Sequence, residues 1–207
     1  MVGGELISLC IENPKISKVT SLVRKPLGRI HPKINEIIHK DFGNFDVKSN
    51  FLNNIDVVFY CIGVYTGSVK RDEFKRITVD YPLTLAKILV HKNSNLRFCL
   101  LSGAGADNSE KSRIMFSKDK GVIENKLSSL IPKNFYSFRP AYIYPVKQRI
   151  EPNLSYRISR FLYPVIRFLG PKYSIPSTTL ARAIMKVGIS GYSSFILENK
   201  ACFNLGS

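Results

Sequence analysis

The sequence predicts an α/β fold built on a doubly wound parallel sheet, and three observations predict it. Asp56 to Ile62 (DVVFYCI) is a continuous apolar run of strand length, the pattern of a strand buried on both faces, and Leu96 to Leu101 (LRFCLL) reads as another strand. Between them Asp72 to Val90 is long and amphipathic, with Phe74, Ile77, Leu85, Ile88 and Leu89 at helical spacing. Strand and helix signals alternate along the chain at intervals that suit βαβ units.

Gly3 to Glu12 carries Leu6, Ile7, Cys10 and Ile11 at helical spacing, and Asn13-Pro14 ends it, because a residue before proline avoids the helical region. Lys18 to Val23 reads as a strand, followed by Arg24-Lys25-Pro26. Ile34 to His39 reads as another, ending at Asp41-Phe42-Gly43, and Val47 to Asn54 suits a short helix. Beyond the two apolar runs, Ser112 to Leu130 is mostly helical and Phe135 to Phe138 is a strand leading into Arg139-Pro140. Thr178 to Val187 is a final helix with Ser177 as its N-cap.

At 207 residues and 44% hydrophobic, the chain suits one domain spanning 1–207 with a real core. Cys10, Cys61, Cys99 and Cys202 form no CxxC pair, which points to a reducing compartment. His31, His39 and His91 lack metal-ligand spacing, so no metal site is expected. No signal peptide and no run of about 20 apolar residues is visible, and the expected location is the cytoplasm without a transmembrane segment. The net charge of +16 admits an anionic partner, but the lysines are spread along the whole chain, as on an ordinary solvated surface.

In open parallel sheets ligands bind beyond the carboxyl ends of the strands. Those ends are Arg24-Lys25, Asp41-Phe42, Cys61-Ile62-Gly63, Ser102-Gly103 and Arg139-Pro140. They form a candidate site on topology alone.

The stretches MVGGELISLCIENPKISKVTSLVRKP, LLSGAGAD, KDKGVIE and SFRPAYIYP, in order, resemble an atypical short-chain dehydrogenase/reductase. The nearest branch is the Tat-interacting, oxidoreductase-like NAD(P)H-binding proteins. The resemblance implies a Rossmann-like fold that binds a dinucleotide and a small-molecule substrate, with substrate-side elements mainly in 140–180. Such proteins open with a strand and a Gly-rich turn, G-A-T-G-x-x-G, that cradle the pyrophosphate. Here Gly3 stands at the third glycine, and the first strand and most of the loop are missing. The expectation is a sheet with an open groove where its central strand belongs. A start at an internal methionine and a gap closed by another strand both remain open.

The resemblance also places residues. Arg24 and Lys25 fall beside the adenosine ribose, where a basic residue accommodates a 2′-phosphate, so NADP(H) is expected over NAD(H). Asp41 and Phe42 flank the adenine; Phe42 buried in a turn is the alternative. Cys61, Ile62 and Gly63 pass under the cofactor. Pro140, Ala141 and Tyr142 lie by the nicotinamide carboxamide; a rigid exit turn is the alternative. The catalytic set of the fold is Ser, Tyr and Lys with YxxxK spacing. Ser102 matches the serine and Lys120 the lysine, which also holds the nicotinamide ribose, but Phe116 stands where the tyrosine belongs. Phenylalanine has no proton to exchange, so the usual acid–base step is lost. Tyr65, Tyr142 and Tyr144 are substitute donors by position.

Two alternatives stand beside a reductase: a non-catalytic NADP(H)-binding module, and a basic protein for nucleic acid or membrane. The basic amphipathic stretch Tyr156 to Tyr173 is either a substrate-side helix or a membrane-surface helix. Nucleic acid is disfavoured because the aromatics sit in apolar periodic positions.

Overall fold

The structure is a computed structural model, and it describes residues 1–146, 160, 161, 163, 170 and 172–207. Most of the Tyr156 to Tyr173 stretch therefore lies outside the described residues.

Helix α1 (Val2–Glu12) buries Val2, Leu6 and Cys10, one stripe four residues apart, and Asn13 leaves it in an extended conformation ahead of Pro14. Strands β1 (Val19–Val23) and β2 (Ile34–Ile38) pair in parallel. β3 (Val57–Tyr60), β4 (Arg97–Leu101), β5 (Phe135–Arg139) and β8 (Ile196–Glu198) form a second parallel sheet in the order β3-β4-β5-β8. β6 (Tyr142–Tyr144) and β7 (Ser174–Pro176) pair separately.

The segment expected as one helix from Asp72 to Val90 runs as α2 (Arg71–Lys75), a wide π turn (Arg76–Asp80) and α3 (Tyr81–Lys92). Pro82, in the first turn of α3, has no N–H to donate back, and the wide turn just ahead of it absorbs the lost hydrogen bond. α4 (Met115–Leu130) starts later than Ser112, because the Asp107 carboxylate accepts the backbone N–H groups of Ser109, Lys111 and Ser112 and holds them as a loop. Val47 to Asn54 yields only a single 3-10 turn, Asn50–Leu52, with Leu52 its one buried side chain. Helix α5 (Ser177–Ser190) begins at Ser177 rather than after it. Ser177 is not its N-cap: its Oγ accepts the N–H of Val146. α6 (Asn199–Gly206) closes the fold.

The central strands alternate between two cores, as strands covered on both faces must. Val58, Tyr60, Phe98 and Leu100 join the layer of α3 and α4, around Leu85, Leu89, Ile123 and Leu127. Phe59, Cys61, Cys99 and Leu101 join the layer of α1, α5 and α6, around Leu6, Leu180, Ile184 and Cys202.

The expected groove is there. β1 and β3 are not hydrogen-bonded to one another, and a groove of about 560 Å³ lies between them, lined by both strands, by α1 and by α3. Read across it, the order is β2-β1, groove, β3-β4-β5-β8.

Candidate functional site

The carboxyl end of β4 gathers three of the expected residues. Ser102 follows β4 directly, and the Lys120 Nζ, on α4, donates to the Leu101 carbonyl at 3.3 Å. Phe116, one helical turn earlier, lays its ring tip against Gly103: a Cβ at Gly103 would lie 2.5 Å from it. A side chain at Gly103 would have to push the Phe116 ring aside.

α1 meets the neighbouring strand end. A Cβ at Gly3 would stand 3.5 Å from the Cys61 Cβ. Burial pushes the Cys61 thiol up to about 12 against the pull of the terminal ammonium and Lys120, so it is a neutral thiol at neutral pH. Lys120 is only 8% exposed, and burial pushes its ammonium down to about 8, with Glu124 and Cys61 opposing. Gly3, Cys61, Ser102, Phe116 and Lys120 thus share one end of the sheet.

Glu124, four residues after Lys120 and so on the same helix face, organises the floor of this site. It is 1% exposed. Its Oε1 accepts the Ser102 hydroxyl at 2.6 Å, the Ser137 hydroxyl at 2.7 Å and the Arg139 Nε at 3.1 Å, and its Oε2 accepts an Arg139 Nη2 proton. Arg139 also binds Asn108 and, at 3.1 Å, Glu198. Burial pushes the Glu124 carboxyl up, but the bonds from Arg139, Ser102 and Ser137 outweigh it and hold it below the usual range. The single proton of Ser102 is therefore given to Glu124, so polarising a carbonyl would require the hydroxyl to turn away. Next to Lys120, Asp119 is buried and bound by both Arg71 Nη atoms, at 2.5 and 2.9 Å, which ties α2 to α4.

The remaining expected residues are dispersed. Arg24 and Lys25 are exposed just past β1. Asp41 accepts the Gly43 N–H in a tight turn, and Phe42 is buried in the core beside Phe45 and Tyr81. Ile62 is half-buried, and Gly63 is exposed with open space around its Cα. The backbone groups of the exit turn are engaged within the chain: Ala104 donates to the Pro140 carbonyl, Ala141 to Asn199 and Tyr142 to the Tyr173 carbonyl. The Tyr144 ring is stacked on Tyr163.

Glu124 and Asn199 were not singled out from sequence. A signal existed for the first, an acidic residue at i+4 from Lys120 on an apolar helix face. For Asn199 there was none, since its partners Ala141 and Ser174 are distant in the chain.

No family model and no curated protein matches this sequence. Solved structures do match. A UDP-N-acetylglucosamine 4-epimerase from Methanobrevibacter ruminantium superposes with a TM-score of 0.69 at 16% identity, over 95% of this chain and 72% of that one. A UDP-glucuronic acid 4-epimerase from Bacillus cereus, in complex with NAD, gives 0.69 at 14%, over 96% and 73%. The Bordetella bronchiseptica enzyme WbmF, in complex with NAD+, gives 0.66 at 12%, over 98% and 73%. At such identities the likeness carries the fold. The chain has a Rossmann-like α/β fold with parallel sheets, as these structures do.

Proposed function

We propose that this chain is an NAD(P)H-binding, oxidoreductase-like protein of the atypical short-chain dehydrogenase/reductase type, with its catalytic tyrosine replaced by Phe116. The convergence of Lys120, Phe116 and Ser102 at the end of β4, beside the first turn of α1, carries the reading. The Tat-interacting branch rests on the sequence motifs alone. A cytoplasmic location fits the four free cysteines.

The residues fit a dinucleotide in part. Lys120 would hold the nicotinamide ribose, Arg24 and Lys25 a 2′-phosphate, and the open N–H groups of Val2 and Gly3 at the start of α1 a phosphate oxygen. When bound, the dinucleotide supplies the hydride. The chain's own groups are poorer in protons: Phe116 has none, Ser102 shares its own with Glu124, and burial brings the Lys120 ammonium down to about 8. That shortage, with the engaged backbone at Ala141 and Tyr142, favours a non-catalytic NADP(H)-binding module as the second reading. NADP(H) is preferred over NAD(H) because both residues after β1 are basic. The substrate of the first reading is a small molecule whose identity depends on the 140–180 segment.

Lys120→Met tests the role of the lysine. A buried ammonium whose folded pKa is near 8, against about 10.4 unfolded, weakens the fold at neutral pH. Between those values the unfolded chain binds more protons, so stability rises with pH. The variant is expected to be more stable than the parent at pH 7, to lose that rise above pH 8, and to bind NADPH at least about tenfold more weakly. Urea unfolding at several pH values measures the first two, and NADPH titration followed by nicotinamide fluorescence, with parent and variant each preceded by an apolar strand and a glycine-rich turn, measures the third. Unchanged NADPH affinity in a folded variant contradicts the proposed site.

A further inference from the structure

We infer that Ser102 faces the candidate site as a hydrogen-bond acceptor, held that way by Glu124, and that the substrate group seated against it is a hydroxyl rather than a carbonyl. The inference rests on the reading that the substrate sits at the strand end of β4. It reverses the donor role, toward a substrate carbonyl, that the resemblance implies for this serine.

The protons decide the direction. The Glu124 Oε1 accepts from the Ser102 hydroxyl, the Ser137 hydroxyl and the Arg139 Nε. Its Oε2 accepts from Arg139 Nη2 and, at 3.0 Å, from the Asn108 Nδ2. Five hydrogen bonds thus converge on one carboxylate, two of them from a guanidinium. Such a group is ionised and can only accept. It bonds to a hydroxyl by taking that hydroxyl's proton, and Ser102 has one proton to give. What Oγ keeps is lone pairs. Among the described residues no N–H or O–H donates to them, and the Lys120 Nζ gives its bond to the Leu101 carbonyl instead.

Ser102 is also the serine of this network that looks outward. Ser137 is fully buried, whereas Ser102 is 9% exposed and stands just past β4, where ligands bind in parallel sheets of this kind. A substrate carbonyl brought against its Oγ would set acceptor against acceptor in a nearly dry site. A substrate hydroxyl brings its own proton and extends the chain of bonds, from ligand to Ser102 to Glu124. Turning the serine outward to serve a carbonyl would take a donor from the buried carboxylate. The Phe116 ring, laid against Gly103, supplies an apolar wall beside this oxygen. The fitting compound therefore carries its hydroxyl next to a hydrocarbon face.

The test uses the chain as it stands and no dinucleotide, so its outcome is separate from that of the NADPH titrations. In proton NMR of the unliganded chain, the Ser102 hydroxyl is expected as a distinct resonance, slow to exchange and missing from Ser102→Ala. Two matched pairs, cyclohexanol with cyclohexanone and cyclopentanol with cyclopentanone, are then titrated while the Ser102 and Gly103 amide shifts are followed. Each alcohol should saturate at a concentration at least about tenfold below that of its ketone. Ser102→Ala leaves Glu124 its bonds from Ser137, Arg139 and Asn108, so the variant should fold, and the ratio should fall to within about threefold. Ser102→Thr keeps the hydroxyl and should restore it. A purely structural serine would not move that ratio. Ketones that bind as tightly as the alcohols, a preference that survives Ser102→Ala, or no shift with any of the compounds overturns the inference. So does a Ser102 hydroxyl that exchanges as fast as those of surface serines.

Discussion

Glu124→Ala is expected to cost about 3–5 kcal/mol of folding stability, because it strips a buried guanidinium of its charge partner. Arg139 is itself only 8% exposed, and Glu198, its other carboxylate, is solvent-facing. The same change leaves the Ser102 and Ser137 hydroxyls without their acceptor. Glu124→Gln keeps an acceptor for a serine but not the charge, and its loss should fall between the parent and the alanine variant. The pH dependence follows from the sign of the shift. A carboxyl held below its unfolded value near 4.3 contributes stability that is present above that pH and lost as pH falls through the lower folded value. Both variants should therefore lose part of the parent's acid limb. Chemical denaturation between neutral and acid pH measures this, and an alanine variant within about 1 kcal/mol of the parent at pH 7 would show that the network adds little.

Gly121→Ala should lose stability at the upper end of the roughly 1–3 kcal/mol typical of overpacked cores. An added Cβ would lie 1.7 Å from the Asp107 carbonyl oxygen and 2.3 Å from its carbon, which are backbone atoms with no rotamer to escape into. Asp107 is fixed from the other side as well, its N–H donating to the Ser117 carbonyl of the same helix. Because Gly121 follows Lys120, the displacement also reaches the site, and NADPH binding to the form preceded by an apolar strand and a glycine-rich turn should weaken with stability. Gly4→Ala is the matched control. Nothing lies within 4 Å of its added Cβ, and alanine in helix α1 should stabilise by about 0.4–1 kcal/mol. Thermal or urea unfolding of the two variants is expected to give shifts of opposite sign.

What the sequence made legible follows from periodicity. The runs ending at Ile62 and Leu101 are apolar apart from Asp56 and Arg97 because helices cover both faces, and their short length favours a strand over a buried helix. The open groove followed from the family resemblance, which puts a central strand ahead of Gly3. β6, β7 and β8 were not. Each spans three residues, too few for any period to show, and β8 exposes both its ends. The wide turn before Pro82 was hidden because the apolar stripe runs through it. In the site, the family resemblance was what placed Ser102, Lys120 and Phe116 together, the latter two on one helix four residues apart. The ties of Glu124 to Ser137 and Arg139, and of Asn199 to Ala141, cross between elements far apart in the chain. Local pattern carries no record of such pairs.

The central claim is a Rossmann-type site for NADP(H), and calorimetric titration tests it most directly. NADPH and NADH would be titrated into the chain as it stands and into the same chain preceded by an apolar strand and a glycine-rich turn. The account predicts weak or undetectable binding to the first, and binding of NADPH to the second at least about tenfold tighter than NADH. If neither form binds either dinucleotide, the cofactor reading is wrong, and the basic surface becomes the place to look.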